Sequence, residues 1–195
     1  MMAKTIRLKD LTSEEVDKLR HYVIGFSNKL RTGGLILSTQ ATPDLVIEEL
    51  PGGYWGHYES LGEKGILSLN PNLASRYARS VIRHELGHIA SDRKASEELP
   101  PDYGYPDYIL LSEIGAESIS RGGDRKISPY RIANIVIHHL DPDEDLPINM
   151  DTSKLGSVWK QVESTLTKYT DITPMQISKA RSIFLRRAPK AWELY

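Results

Sequence analysis

Hydrophobic and polar residues follow a helical period near the start of the chain. Between Thr12 and Arg31 the apolar positions recur every three or four residues, at Val16, Leu19, Val23 and Phe26. A repeat of this length places them on one face of an amphipathic helix. Thr12 and Glu15 have the pattern of a capping box at its start, and Gly33-Gly34 is a stop signal after its end.

Between residues 35 and 70 the spacing of the apolar residues shortens to every second position. Four short runs, LILS, LVIEEL, GYWGHYES and GILSLN, are separated by turns that contain Pro or Gly. We therefore predict a small antiparallel sheet. Its last strand, residues 65–70, is expected to direct Leu67 and Leu69 toward the core and the alternating positions Ile66, Ser68 and Asn70 toward the other side.

Helical spacing returns after residue 71. It predicts helices over about 72–91, 107–122, 129–140 and 151–169 and from 173 onward, the first two capped by Asn72 and Asp107. The pattern indicates an α+β fold with a small antiparallel sheet beside the first of these helices and a mostly helical C-terminal half. The 195 residues are expected to form a single domain with three parts, 1–71, 72–122 and 127–195.

The predicted helix 72–91 contains the sequence HELGH, from His84 to His88. Side chains four residues apart share one helix face, about 6 Å from each other, so both imidazoles can reach one ion. Glu85 then extends toward the coordination position that the protein leaves open. We therefore predict that His84 and His88 bind Zn2+ and that Glu85 is a general base.

The composition of the chain limits the classes of function and the types of metal ligand that we expect. The net charge of −1 argues against a general nucleic-acid or anionic-membrane binder, and the absence of cysteine leaves only His, Asp or Glu as zinc ligands. The first fifteen residues lack the apolar run that is typical of a signal peptide, and no apolar run of about 18 residues is present in the sequence. We expect a cytoplasmic protein that binds neither nucleic acid nor membrane; the oligomeric state does not follow from these features.

A catalytic zinc site usually takes a third protein ligand. A histidine six residues after His88, the metzincin arrangement, is missing because Lys94 occupies that position. The helix that carries Glu113 and Glu117 is the better source, since carboxylates four residues apart can divide the roles of ligand and outer partner.

Glu113-Ile-Gly-Ala-Glu117 resembles the later helix of the gluzincins, zinc peptidases in which HExxH is followed by Glu-x-x-x-Asp or Glu-x-x-Ala-Asp. The likeness covers roughly residues 54 to 121 and is greatest to minimal gluzincins and the ImmA/IrrE kind of regulator-cleaving peptidase. It implies a zincin-like fold, Glu113 as the third ligand, and Glu117 as the residue that orients His84. Because Glu replaces the family's Asp, Glu117 remains an alternative ligand.

These features predict zinc-dependent hydrolysis of peptide bonds, in which Glu85 takes a proton from a zinc-activated water. The expected partner is a peptide or protein that binds as an extended strand along the edge of residues 65–70, next to Ile66, Ser68 and Asn70. The alternative is a regulatory or partner-binding protein whose zinc site is highly specific or non-catalytic.

The group that stabilises the oxyanion of such a reaction is not fixed by the sequence. An imidazolium or a phenol is suitable for this role. The candidates are His138, His139, Tyr103, Tyr105 and Tyr108.

Overall fold

The computed structural model describes residues 5–37, 39–61, 64–98, 105–139 and 155–192. Internal contacts divide the chain into two compact units, Met1–Ala90 and Ser91–Tyr195. We call them the N-terminal unit and the C-terminal unit. The boundary falls inside a continuous helix, Ser75–Glu98, and the single domain expected from the sequence stays a prediction.

The N-terminal unit begins with helix α1, Ser13–Thr32. Thr12 is its N-cap: the Thr12 side chain accepts from the Glu15 backbone N–H, and the Glu15 carboxylate accepts from the Thr12 backbone N–H at 2.8 Å. Gly33 is the C-cap, and Gly34 has a φ of 69° that only glycine adopts readily. The predicted helix and both of its end signals are confirmed.

The described residues of this unit form a sheet of three strands, β1 (Asp44–Ile47), β2 (Gly56–Leu61) and β3 (Lys64–Leu69), in the order β1-β3-β2. β2 and β3 form an antiparallel hairpin, whereas β1 runs parallel to β3. The prediction of an antiparallel sheet is therefore wrong, because the sheet is mixed. Strand alternation defines which side chains are buried, but it contains no information about the direction of the neighbouring strand.

The position of β3 also corrects the predicted substrate edge at Ile66, Ser68 and Asn70. β3 is the central strand, so β1 and β2 already use its backbone N–H and C=O groups. Ser68 and Asn70 are moreover buried, at 4% and 8% exposure, and Ser68 donates a hydrogen bond to the Glu48 carboxylate. Leu67 and Leu69 do face the core, as predicted, with 0% exposure.

Helix α2, Ser75–Glu98, follows β3. The predicted cap at Asn72 is wrong, because the N-terminal segment pairs with the lead into the helix and Ser75 donates its backbone N–H to the Ile6 carbonyl. Asn72 instead accepts from the side chains of Arg7 and Lys9. The helix buries a row of apolar residues in this unit, namely Ala78, Ile82, Leu86 and Ala90.

Within its described residues, the C-terminal unit contains four further helices: α3 (Tyr105–Arg121), α4 (Pro129–His139), α5 (Leu155–Tyr169) and α6 (Pro174–Trp192). They enclose an apolar core around Trp159 and Phe184, whose ring centroids are 5.2 Å apart. Gly122, with a φ of 78°, ends α3 as predicted. Asp107 lies inside α3 rather than at its cap, and it accepts a 2.7 Å hydrogen bond from Thr165 of α5.

Six α-helices and a small sheet in the described part of the chain confirm the α+β class. Among the described helices, none combines the length and the apolar character that crossing a membrane requires.

Candidate metal centre

The two histidines of HELGH lie one turn apart on α2. Their rings are 4.9 Å apart between centroids and meet edge to face at 84°. Both residues are half-buried, while Leu86 between them is fully buried on the opposite side of the helix. The helical period therefore separates the packing face from the face that carries the imidazoles.

Glu113 of α3 joins this pair. One ligand atom from each of His84, His88 and Glu113 can be chosen so that all three lie within 4.8 Å of one another. Nδ1 of His84 and Oε2 of Glu113 are both buried from solvent. Burial of a carboxylate oxygen is costly unless a proton or a cation compensates its charge, and a divalent ion would do so here.

These residues fit a zinc ion. Ligand atoms about 2.1 Å from a tetrahedral ion are roughly 3.4 Å from one another, so adjustments of about 1 Å would close the observed group around it. Two imidazoles and one carboxylate are also a donor set that zinc accepts readily. The three donors predicted from the sequence are thus the ones that the fold brings together.

Glu85 lies against the first residue of β2. A Cβ atom placed on Gly56 would come within 2.8 Å of Glu85 Cγ and 2.9 Å of Glu85 Oε1, and it would overlap Cγ1 of Val81. Only a glycine allows the strand backbone to pass this close to α2. The strand therefore limits the positions that the Glu85 carboxylate can take.

A second close approach involves α3. A Cβ atom on Gly115 would lie 2.6 Å from Cβ of Ser91, which is itself 4% exposed. Gly115 is two residues after Glu113 and in the interior of a helix, where glycine costs about 1 kcal/mol relative to alanine. Tight packing at this point explains why the sequence nevertheless has glycine there.

Glu117 is not part of the three-donor group. It is 4% exposed, and its carboxylate forms ion pairs with Arg121, one turn further along α3, and with Arg131 of α4. The Arg131 contact, 3.2 Å from Nε to Oε2, is an attraction between charges without hydrogen-bond geometry. The proposed roles of Glu117, outer partner or alternative ligand, stay predictions.

The candidates for oxyanion stabilisation remain unassigned. His138 is exposed on α4. Tyr108 is half-buried on α3, where it packs against Leu111. Tyr103 lies outside the described residues, as do the side chains of Tyr105 and His139.

Sequence reasoning missed Gly56, Gly115 and the two arginines that pair with Glu117. Gly115 had a detectable signal, because a glycine inside a helical pattern indicates close packing or a functional reason. Gly56 resembled an ordinary turn residue after Gly52-Gly53. Arg131 is fourteen positions from Glu117 in the sequence, and only the return of α4 along α3 brings it near.

Comparison of the chain with protein-family models, with curated proteins and with solved structures gave no match. The functional conclusion therefore depends on the geometry and chemistry of the centre.

Proposed function

We propose that the protein is a zinc-dependent peptidase whose metal is held by His84, His88 and Glu113. The observation that carries this proposal is the convergence of these three donors, from the HELGH helix and a later helix, within 4.8 Å. Two imidazoles and a carboxylate leave a tetrahedral ion with one free position, which is characteristic of catalytic rather than structural zinc sites.

When bound there, Zn2+ would supply a Lewis acid that polarises a carbonyl oxygen and lowers the pKa of water to about 7. The chain supplies the geometry and the proton transfer. His84 and His88 are fixed by their spacing on α2, and Glu113 by the close packing of α3 at Gly115. Glu85 is the general base that accepts the proton of the attacking water and then donates it to the leaving amine.

The edge strand β2 supports an extended peptide as the substrate. The Asn70 backbone N–H donates to the Trp55 carbonyl, and the following antiparallel pair is Gly56 with Leu69. Hydrogen-bonded and non-hydrogen-bonded pairs alternate in such a ladder, so the backbone groups of Gly56 and Tyr58 point away from β3. An extended peptide could pair with them and pass beside Glu85.

Glu113 is favoured over Glu117 as the third ligand because both oxygens of Glu117 already pair with arginines. We expect Glu113→Gln to lose most of the zinc affinity, and Glu117→Gln to lose about 10-fold to 100-fold, as is typical for an outer partner. Competition with a chromogenic chelator measures both. The reverse order would transfer the ligand role to Glu117.

The chemistry is tested with two neighbouring variants. His84→Ala should take up no stoichiometric zinc, whereas Glu85→Gln should retain zinc and lose hydrolysis, because a base moves a proton and holds no metal. Metal content is read by mass spectrometry of the purified proteins, and hydrolysis by product analysis of a proteome-derived peptide library.

Full zinc occupancy in the His84→Ala protein would contradict the assignment of the centre. If zinc binds as proposed but neither a peptide library nor a partner screen gives any Glu85-dependent product between pH 5 and 9, the protein is a binding protein with a non-catalytic zinc site. These pH limits bracket, by about two units on each side, the pKa near 7 that zinc confers on water.

A further inference from the structure

Glu117 is one helical turn from the proposed ligand Glu113, and it is held by two cations. Arg121 pairs with its Oε1 from the same helix, and Arg131 pairs with its Oε2 from α4 at 3.2 Å. The Glu117 side chain is 5% exposed, while those of Arg121 and Arg131 are 45% and 36% exposed. A buried carboxylate is therefore fixed from two helices by guanidinium groups that keep contact with water.

We propose that Arg121 and Arg131 withhold Glu117 from the metal, so that the centre keeps three protein ligands and one open position. This inference rests on the proposed function. A carboxylate one turn from a ligand is within reach of the same ion, and a fourth protein ligand would convert an open zinc site into a closed, structural one. The two arginines are positioning residues, since they touch neither the donors nor the reacting atoms in this assignment.

Electrostatics and hydrogen bonding both act against ligation by Glu117. Moving its carboxylate to the ion would break both ion pairs and leave the buried Nε atom of Arg131 without a counter-charge. A divalent cation brought to Glu117 would also lie close to two guanidinium groups of like charge. Arginine suits this role because it is never deprotonated in proteins and its planar group presents several donors.

The two ion pairs do not prevent Glu117 from accepting a hydrogen bond from a side chain that binds the metal. Each carboxylate oxygen has two lone pairs, and an ion pair with one arginine occupies only part of that capacity. Glu117 can therefore accept a hydrogen bond from a ligand while it remains outside the coordination sphere, which is the outer role that the sequence predicts for it.

The test uses Co2+-substituted protein and acetohydroxamic acid, which binds an open coordination position. The wild-type visible spectrum should change as the hydroxamate is added. In the double variant Arg121→Gln/Arg131→Gln, Glu117 should fill the open position, so that hydroxamate affinity falls by about 10-fold or more while Co2+ affinity is kept or raised. Adding Glu117→Gln to that variant should restore the wild-type hydroxamate response.

Matched controls separate this effect from a loss of fold. Arg181→Gln removes an exposed arginine of α6 in the same unit and should leave the spectrum and both affinities unchanged. Arg131→Lys keeps the charge and should respond like the wild type. If the double variant melts far below the wild type, the single variant Arg131→Gln is measured in its place, and a smaller loss of hydroxamate affinity in the same direction is expected.

Two contrary outcomes are distinguishable. If wild-type protein binds no Co2+, the proposed function falls and this inference falls with it. If the wild type binds Co2+ and hydroxamate normally but the arginine variants bind both equally well, or lose the metal, the arginines do not withhold Glu117 and only this inference is overturned.

Discussion

Glu85 in the N-terminal unit and Glu117 in the C-terminal unit are held by different forces. Glu85 is confined by contact with bare strand backbone at Gly56, whereas Glu117 is confined by the charges of Arg121 and Arg131. A general base must reach the attacking water, so a steric limit on the position of its carboxylate suits it. A carboxylate that should stay away from the metal is better served by opposite charge.

The two constraints should therefore respond differently to mutation. A steric constraint fails when one carbon atom is added, because packed interiors have little free volume. An electrostatic constraint fails when a charge is removed, and it tolerates a change of shape that keeps the charge.

The first prediction tests the steric constraint on Glu85. Gly56→Ala should lower kcat by about 100-fold or more while zinc content stays at one per chain, because small misplacements of a catalytic group have effects of this size. Steady-state kinetics and metal analysis measure the two quantities. Adding Val81→Ala removes one overlap but leaves the contact with Glu85, so it should recover thermal stability without recovering kcat. Recovery of kcat as well would mean that Gly56 serves the packing of the helix alone.

The second prediction tests whether close packing of α3 also secures the ligand Glu113. Gly115→Ala should weaken zinc binding by roughly 10-fold and lower the free energy of unfolding, because overlap with Ser91 costs about 1–3 kcal/mol and outweighs the helix-propensity gain. Gly25→Ala is the matched control, since a Cβ there meets nothing within 4 Å. It should stabilise the protein by about 1 kcal/mol. Equal behaviour of the two variants would remove the packing argument.

The smallest effect concerns a carboxylate held at the surface. The backbone N–H of Thr12, and then its hydroxyl, lower the pKa of Glu15 below its ordinary value of 4.5. A lowered pKa stabilises the folded state above the unfolded value, and this contribution is lost as the pH falls through the folded value. The Thr12→Ala variant loses the hydroxyl but keeps the backbone N–H, which is the larger cause. The Glu15 pKa, followed by NMR titration of its side-chain carboxyl, should therefore rise only part of the way toward 4.5. An unchanged pKa would contradict the role of the capping box.

Sequence patterns within a few residues were sufficient to predict where several helices begin and end. The capping box at Thr12 and the glycines that follow α1 and α3 occur as predicted. Each depends on residues within a few positions of one another. The direction of β1 and the central place of β3 depend on pairing between distant segments, and the sequence pattern predicted them wrongly.

By itself, the sequence was enough to predict His84 and His88 as a donor pair and Glu85 as the candidate base, because HELGH contains its own geometry: four residues are about one helical turn, and one turn is the spacing that two ligands of one ion need. Only the tertiary structure decided which residues surround them. Gly56 lies beside Glu85 because β2 forms the sheet edge next to α2, and Arg131 reaches Glu117 because α4 returns along α3. Contacts between residues far apart in the chain depend on how helices and strands pack. The local spacing of apolar and polar residues contains no information about that packing.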